Sequence, residues 1–334
     1  MRIIITSLLF FFLACSLQAC GQSGLSLTQP RSGVRLMVIN KDFPLLKILL
    51  PGQPASDRGI EVEFPEHVTG LNKLTNNVEH VYLVTRGDLN KRTLPVWKVE
   101  GNTLIYETEL NGNVKMIAKA QLEPDGVSYS YSLTNNSTIP YESLQAVTCV
   151  KLYSLFSDTL LERTYVHHSD GFDLLASETP ERLTMPLEKW LPCRYLVSYT
   201  WPVAPVRIEK DEDAITRYNK SRKADKPFIA TFSHDKKWIA ATYTQETGNL
   251  WTNPERSCQH ADPSVSLKPG ESKSLQLKTF IFKGTLGELL PLIDKQPLKN
   301  KNFSVSYLLC FMVCPCCPGV IRESAEPGSK IQGE

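Results

Sequence analysis

Short runs of alternating or β-branched residues, separated by tight-turn signals, constrain the fold of this chain more than any other feature of its sequence. From Val34 onward the runs recur at roughly 8–12-residue spacing, with Asn111-Gly112-Asn113 and Pro124-Asp125-Gly126 among the turns between them. Only residues 286–293 show a helical period. The pattern predicts an all-β protein, specifically a large antiparallel β-sandwich with few short helices.

The size and charge of the chain limit its organisation and its partners. With 334 residues, 42% of them hydrophobic, it is long enough to bury a sizeable core. We predict a single β-sandwich domain over residues 34–295, followed by a separate tail over residues 296–334. The formal net charge is only +2, so there is no general basic field for nucleic acid and we expect no nucleic-acid partner.

The N-terminus predicts export. A short positive start and an apolar run over residues 3–13 form a signal peptide over residues 1–19, too short for a membrane span. Leu17-Gln18-Ala19-Cys20 resembles the bacterial lipobox, which implies cleavage before Cys20, lipidation of its thiol and an extracytoplasmic protein on a bacterial membrane. Residues 20–33 would then be a tether. An ordinary signal peptide with an incidental cysteine is the alternative.

The stretch richest in chemically capable groups is residues 248–263, which contain an aromatic ring, an amide, a thiol, an imidazole and a carboxylate. Its two prolines argue against a helix or a central strand. If the stretch is extended, its period of two places Cys258, His260 and Asp262 on one face.

A metal site is one interpretation of that face. Cys258, His260 and Asp262, with His234 as a fourth ligand, offer the groups that Zn²⁺ prefers. However, side chains at i, i+2 and i+4 spread over about 13 Å along a strand, so one ion cannot reach all three without a bend. We therefore predict no metal and no cofactor.

A carbohydrate site is the interpretation we favour. Trp251 would provide a stacking surface for a sugar ring, and Asn253 and Arg256 would bind hydroxyl or carboxylate groups. His260 and Asp262 would act in proton transfer. The alternative is a structured loop whose polar groups satisfy its own backbone.

Candidates elsewhere in the sequence are more isolated. His167 lies at the end of a predicted strand just before a turn, and we take it as a second possible catalytic base, with His234 in the same cleft. Arg163 lies in an alternating strand, where only it or Glu162 can face inward, which makes it a candidate substrate-binding residue. Residues 209–226 are highly charged and are interpreted as a solvated excursion, or alternatively as a basic lip over an anionic substrate.

Two segments of the body are similar to parts of a known family. Residues 127–137 form a strand followed by an Asn-rich turn, and residues 267–271 lead into a strand over 274–282. Together with the strand pattern, residues 34–290 resemble the galactose-mutarotase-like β-sandwich superfamily. The resemblance implies the supersandwich fold and a carbohydrate ligand, since that superfamily includes aldose epimerases, sugar-binding modules and the sandwich domains of glycosidases and lyases.

The cysteines leave pairing open. Cys149, Cys193 and Cys258 lie in the body, an odd number for an oxidising compartment, and the sequence does not say which of them pair. Four further cysteines lie between residues 310 and 317 and could bind a soft metal.

The leading hypothesis is a membrane-tethered carbohydrate-binding or carbohydrate-processing protein, with epimerase- or lyase-type proton transfer if it is an enzyme. The rival is a non-catalytic structural or adhesive surface module.

Overall fold

The computed structural model describes residues 24–40, 43–83, 95–111, 113–186, 193–200, 208–210, 215–245 and 247–296. The signal peptide, Cys20 and the tail cysteines lie outside these residues. No helix in the described ranges is long and apolar enough to cross a bilayer.

The described residues form mainly β-strands, as predicted. In chain order the strands are β1 (Ser26–Thr28), β2 (Arg35–Asn40), β3 (Leu45–Leu49), β4 (Ile60–Asn72), β5 (Asn77–Leu83), β6 (Lys98–Glu100), β7 (Thr103–Leu110), β8 (Val114–Glu123), β9 (Gly126–Asn135), β10 (Tyr141–Leu152), β11 (Thr164–His168), β12 (Gly171–Leu174), β13 (Cys193–Tyr199), β14 (Ile208–Lys210), β15 (Ile215–Asn219), β16 (Phe228–Phe232), β17 (Trp238–Thr244), β18 (Asn249–Thr252), β19 (Cys258–Gln259), β20 (Ser264–Leu267) and β21 (Ser272–Lys283). The α-helices are α1 (Pro180–Leu183) and α2 (Leu286–Asp294), and short 3₁₀ turns cover Ser154–Phe156 and Pro254–Arg256.

The strands form three sheets within the described ranges. The first sheet has the order β1-β2-β3-β4-β10-β19, with β5 also paired to β4 and β20 also paired to β10. The second has the order β12-β11-β16-β17-β21-β9-β8-β7-β6, and the third β14-β15-β13-β18. The strand pairs are antiparallel except β13 with β15. The prediction of an all-β antiparallel sandwich is therefore confirmed.

The main core lies between the first and second sheets. Phe64 of β4 is fully buried, and its ring lies 5.1 Å from that of Tyr129 and 4.8 Å from that of Tyr131. Two tyrosine hydroxyls join the sheets: that of Tyr106 donates to the Phe64 carbonyl at 2.5 Å, and that of Tyr131 lies 2.5 Å from the Thr148 hydroxyl. These polar contacts satisfy buried groups and fix how the two apolar faces pack.

An isolated bridge joins the third sheet to the first. Trp251 of β18 exchanges both backbone hydrogen bonds with His260, at 3.2 Å and 3.0 Å. His260 directly follows β19, which pairs with β10. The segment that the sequence singled out therefore connects two sheets, and its two prolines lie outside the paired positions.

Residues 218–220 are buried, unlike the solvated excursion predicted over residues 209–226, whereas residues 221–223 are exposed as predicted. β15 pairs with β13, and Asn219 and Lys220 just at and after its end are buried. The ammonium group of Lys220 donates to Asp173 Oδ2 at 2.5 Å, the Leu174 carbonyl at 2.8 Å and Ser177 Oγ at 2.7 Å. Three acceptors match its three donors, which is how this charge tolerates burial.

The predicted tether over residues 20–33 also contains structure. Ser26–Thr28 forms the edge strand β1, paired antiparallel with β2 from Thr28 opposite Arg35 to Ser26 opposite Met37. The folded body therefore begins before Val34. Among the described residues of the predicted tether, only those outside β1 could act as a leash.

Candidate functional site

The strand register gathers six polar side chains on one side of β4, β10 and β19, opposite the main core. Cys149 of β10 is paired with Glu63 of β4, and Lys151 of β10 is paired with Cys258 of β19. Side chains at directly paired positions lie on the same face of a sheet. We call this set the polar face, and its members are Glu63, His67, Cys149, Lys151, Cys258 and His260.

Gln259 shows that the chain alternates here as the sequence predicted. Its side chain points to the opposite face, where Oε1 accepts from Thr242 Oγ1 at 2.9 Å and Nε2 donates to Thr231 Oγ1 at 2.8 Å and to the Ala240 carbonyl at 3.0 Å. Cys258 and His260 on either side of it therefore share the polar face.

Cys149 belongs to two groups of potential metal ligands. In the first group, the Cys149 sulfur, the Cys258 sulfur and a ring nitrogen of His260 all lie within 4.8 Å of one another. A second such set contains Cys149 with carboxylate oxygens of Glu63 and Glu66. Cys149, Cys258, His260 and Glu66 are all buried.

The His260 ring is held from two directions. It stacks on the indole of Trp251, with ring centroids 3.6 Å apart and planes 10° from parallel. Its Nδ1 lies 3.5 Å from Asp262 Oδ1. The ring of Tyr195 in turn meets Trp251 edge-on at 5.0 Å. A sugar that stacked on Trp251 would have to displace one of these rings, because only 6% of Trp251 is exposed.

Asp262 acts as a buried acceptor that ties three elements together. Oδ1 accepts from the backbone N–H of Thr148 in β10 at 3.2 Å, and Oδ2 accepts from Trp251 Nε1 in β18 at 3.0 Å. Together with the contact to His260, these bonds hold the carboxylate although its side chain is only 2% exposed.

The pKa values of the two buried histidines are shifted in opposite directions. Burial by itself lowers the pKa of His260, but the neighbouring Cys149 and Asp262 outweigh it and hold that pKa well above the ordinary value. Burial lowers the pKa of His67 to about 3, with smaller contributions from His80 and His260. His67 is therefore neutral at physiological pH.

His67 and His80 connect the polar face to the surface. Their rings lie 5.5 Å apart, and His80 is partly exposed whereas His67 is buried. Burial also lowers the pKa of His80. Sequence reasoning gave neither histidine a role.

Two ion pairs have buried cations, and one of the pairs lies within the polar face. Lys151 pairs with Glu63 across β10 and β4. Arg194 of β13 pairs with Glu255, and its Nη1 donates to the Met185 carbonyl at 3.1 Å. Both cations are buried, so each carboxylate balances a charge that would otherwise be costly to desolvate.

Arg256 ends the 3₁₀ turn that precedes β19, and Asn253 is the N-cap of that turn. The Asn253 side chain caps the turn by accepting from the Arg256 backbone N–H at 3.2 Å. The backbone N–H of Asn253 donates to the sulfur of Cys258 at 3.4 Å. This part of the segment matches the alternative from the sequence, a loop whose polar groups satisfy its own backbone.

The other predicted site residues lie around the second sheet. His167 Nδ1 lies 2.6 Å from Asp225 Oδ1, and His234 is exposed in the turn between β16 and β17. The guanidinium of Arg163 donates to the Phe232 carbonyl at 2.5 Å and lies 3.6 Å from Asp158. The structure thus brings together Trp251, His260 and Asp262. It pairs His167 and Arg163 with other residues and leaves His234 exposed.

Comparison with known proteins gives similar structures only. No family model and no curated relative matches the sequence. A galactose mutarotase related enzyme from Lactobacillus acidophilus is 10% identical, with a TM-score of 0.42 over 78% of this chain and 99% of that one. A galactose mutarotase-like protein from Clostridium acetobutylicum is 13% identical, with a TM-score of 0.40 over 78% and 95%.

A polysaccharide lyase is also similar, with 12% identity and a TM-score of 0.36 over 78% of this chain and 34% of that one. The descriptions of the first two structures carry the name of the family that the sequence resembles. At this level of similarity no activity follows for the present chain.

Proposed function

We propose that this protein binds or processes a carbohydrate outside the cytoplasm, where lipid on Cys20 tethers it to a membrane surface. The location is supported by the export signal and the lipobox-like residues that precede Cys20. The ligand class is supported by one observation: the Trp251 indole stacks on the His260 imidazole and donates to the Asp262 carboxylate, and the Tyr195 ring meets Trp251 edge-on. Aromatic rings next to planar polar groups are the usual components of a carbohydrate site.

If the protein is an enzyme, proton transfer at a sugar carbon is the chemistry that these groups suit. Epimerisation and β-elimination each need an acid and a base near one substrate atom. Strand β4 offers Glu66 and His67 for these roles, next to the predicted pair of His260 and Asp262. Of these groups, His67 is the one whose neighbouring ring, that of His80, reaches the surface.

The burial of the predicted residues favours a second function. Trp251, His260 and Asp262 pack on one another and are each at most 6% exposed. A non-catalytic structural or adhesive module would need such packing only for the fold. The two functions differ in whether the folded protein binds any glycan through the polar face.

A glycan-binding screen of the mature chain, followed by calorimetry on the strongest ligand, tests the proposal. We expect His67→Gln to weaken binding by about tenfold, since one hydrogen bond to a planar group is worth roughly 1–1.5 kcal/mol. His234→Ala should leave binding unchanged if the exposed turn lies outside the site. No glycan bound by the folded protein would contradict the proposal. Loss of binding in His234→Ala alone would contradict the place we give the site.

The tether has its own test. Metabolic labelling with a radioactive fatty acid should mark the wild-type protein and place it in the membrane fraction. Cys20→Ser should abolish both the label and the membrane association, because a single covalent anchor is removed. An unlabelled wild-type protein, cleaved at another residue and released in soluble form, would show that Cys20 is incidental.

A further inference from the structure

We propose that Cys149, Cys258 and His260 form a binding site for one zinc-like divalent metal ion. Their ligand atoms all lie within 4.8 Å of one another, and the three residues are at most 3% exposed. Two thiolates and one imidazole are a ligand set that zinc prefers in proteins. This inference does not depend on a carbohydrate ligand.

The strand pairing brings the three ligands together without requiring one ion to reach i, i+2 and i+4 positions along a single strand. Cys258 and His260 are two positions apart on one strand, and Cys149 reaches the same point from β10, the neighbouring strand. In a tetrahedral site with bonds of about 2.3 Å to sulfur and 2.0 Å to nitrogen, ligand atoms lie about 3.5–3.8 Å apart. Side-chain rotations that shift the ligand atoms by about 1 Å therefore suffice to close the site around an ion.

Asp262 orients a ligand of the metal site and is not itself a ligand, unlike in the metal site considered from the sequence. It faces Nδ1 of His260 at 3.5 Å and is itself fixed by Thr148 and Trp251. A carboxylate that faces one imidazole nitrogen leaves the other, Nε2, for a metal and fixes the orientation of the ring. Both ring nitrogens are buried, and neither the contact of the ring with Asp262 nor that with Cys149 has ordinary hydrogen-bond geometry.

A fourth ligand position lies on the Cys149 side. Carboxylate oxygens of Glu63 and Glu66 lie within 4.8 Å of the Cys149 sulfur. Glu63 also pairs with Lys151, whereas Glu66 is fully buried. We assign the fourth position to Glu66 or to a water molecule beside it, the two arrangements that a three-ligand protein site commonly takes.

A disulfide between the two cysteines fits the backbone less well than a shared ion. Lys151, not Cys149, is directly paired with Cys258, so the two cysteines are diagonal neighbours across β10 and β19. Diagonal positions lie about 7–8 Å apart, somewhat less between Cβ atoms, whereas a disulfide needs Cβ atoms about 3.5–4.5 Å apart. The structure has no disulfide at either residue. A metal bridges the larger gap without moving the backbone.

The binding step balances as an ion exchange. One divalent ion enters, each proton carried by Cys149, Cys258 and His260 passes to solvent, and two thiolates and the freed Nε2 lone pair bind the ion. No oxidation or reduction occurs. Binding therefore becomes weaker as pH falls, since protons compete for the two thiolates.

Metal content and cobalt spectroscopy test the site in the full chain. The four tail cysteines, which could bind a soft metal themselves, are first replaced in Cys310→Ser, Cys314→Ser, Cys316→Ser and Cys317→Ser. We expect this reduced protein to bind one zinc ion per chain. With cobalt it should show thiolate-to-metal charge transfer and tetrahedral absorption.

Variants of the site separate a metal centre from simple packing. Cys258→Ser should lose the charge-transfer intensity in part and bind zinc at least tenfold more weakly. Asp262→Asn should weaken binding by about 10–100-fold, as expected when a group that orients a ligand is changed. His168→Asn, which changes a buried histidine outside the cluster, is the matched control and should bind zinc as tightly as the parent.

Three results would overturn the inference. One is a folded, reduced parent protein that binds neither zinc nor cobalt. Another is an unchanged cobalt spectrum in Cys258→Ser. The third is a Cys149–Cys258 disulfide found by mass spectrometry in the native protein. If Cys258→Ser does not fold, the thermal midpoint of the parent with and without a zinc chelator decides the question, with a lower midpoint in chelator expected and an unchanged one contradicting the site.

Discussion

Replacing Asp262 with alanine is expected to destabilise the protein by about 3–5 kcal/mol, the range measured when one member of a buried charged pair is removed. The carboxylate accepts hydrogen bonds from Thr148 N–H and Trp251 Nε1 and lies 3.5 Å from His260 Nδ1. Its loss leaves two buried donors and one imidazole without their acceptor. The effect is large because the three partners belong to β10, β18 and the end of β19, so one deletion weakens the junction between two sheets.

Urea denaturation at neutral pH measures this effect, with Asp170→Ala as the matched control. Asp170 is an exposed aspartate that pairs with Arg222, and exposed pairs contribute about 0–1 kcal/mol. Asp262→Asn should fall between the two, because the amide keeps one acceptor oxygen but loses the charge. A loss below 1 kcal/mol in Asp262→Ala would show that the buried carboxylate does not hold the junction.

Stability is expected to fall as the pH drops from 6.5 toward 4, with His67 responsible for a large share. Burial lowers the pKa of His67 to about 3, against about 6.5 for an exposed histidine. Between these values the unfolded chain binds a proton that the folded chain does not. The contribution of His67 is therefore fully present above about pH 6.5 and is lost as the pH falls, by about 3 kcal/mol at pH 4.

Comparison with His67→Gln isolates this contribution. The pKa values of His80 and His168 are also lowered by burial, so the wild-type profile contains several contributions. Glutamine at position 67 does not titrate, and the variant should lose less stability than wild type between pH 7 and pH 4. Parallel profiles for the two proteins would contradict a neutral, buried His67.

Alternation and turn signals along the sequence were enough to predict the fold class and most strands of the second sheet. The paired runs of β7, β8 and β9 match their predictions closely, because each has one apolar face and a tight turn at its end. β4 was missed, although it is a central strand of the first sheet. It contains Pro65, Gly70 and three glutamates, residues that are depleted in strands.

The failure at β4 explains why the site was only partly predicted. The glutamates and His67 of β4 are absent from the main apolar core, yet Glu66 and His67 are buried. The sequence showed that Cys258 and His260 share a face. It could not show that β10 pairs with both β4 and β19, and this pairing brings Cys149 and Glu66 to the same place.

Site residues that were predicted only from their sequence neighbours do not converge in the structure. Three predicted residues stand near turns and charged residues in the sequence. His167 contacts Asp225, Arg163 contacts Asp158, and His234 is exposed. Which polar groups converge depends on long-range strand pairing, which local chemistry does not encode.

An anomalous difference map at the zinc absorption edge, from crystals of the reduced full chain, tests most directly whether the polar face is built as a site. We predict one strong peak within bonding distance of Cys149 Sγ, Cys258 Sγ and His260 Nε2, with Asp262 Oδ1 facing Nδ1 of the same ring. A map without that peak, in zinc-containing crystals where the two sulfurs and the imidazole simply pack together, would reduce the polar face to a buried junction between sheets.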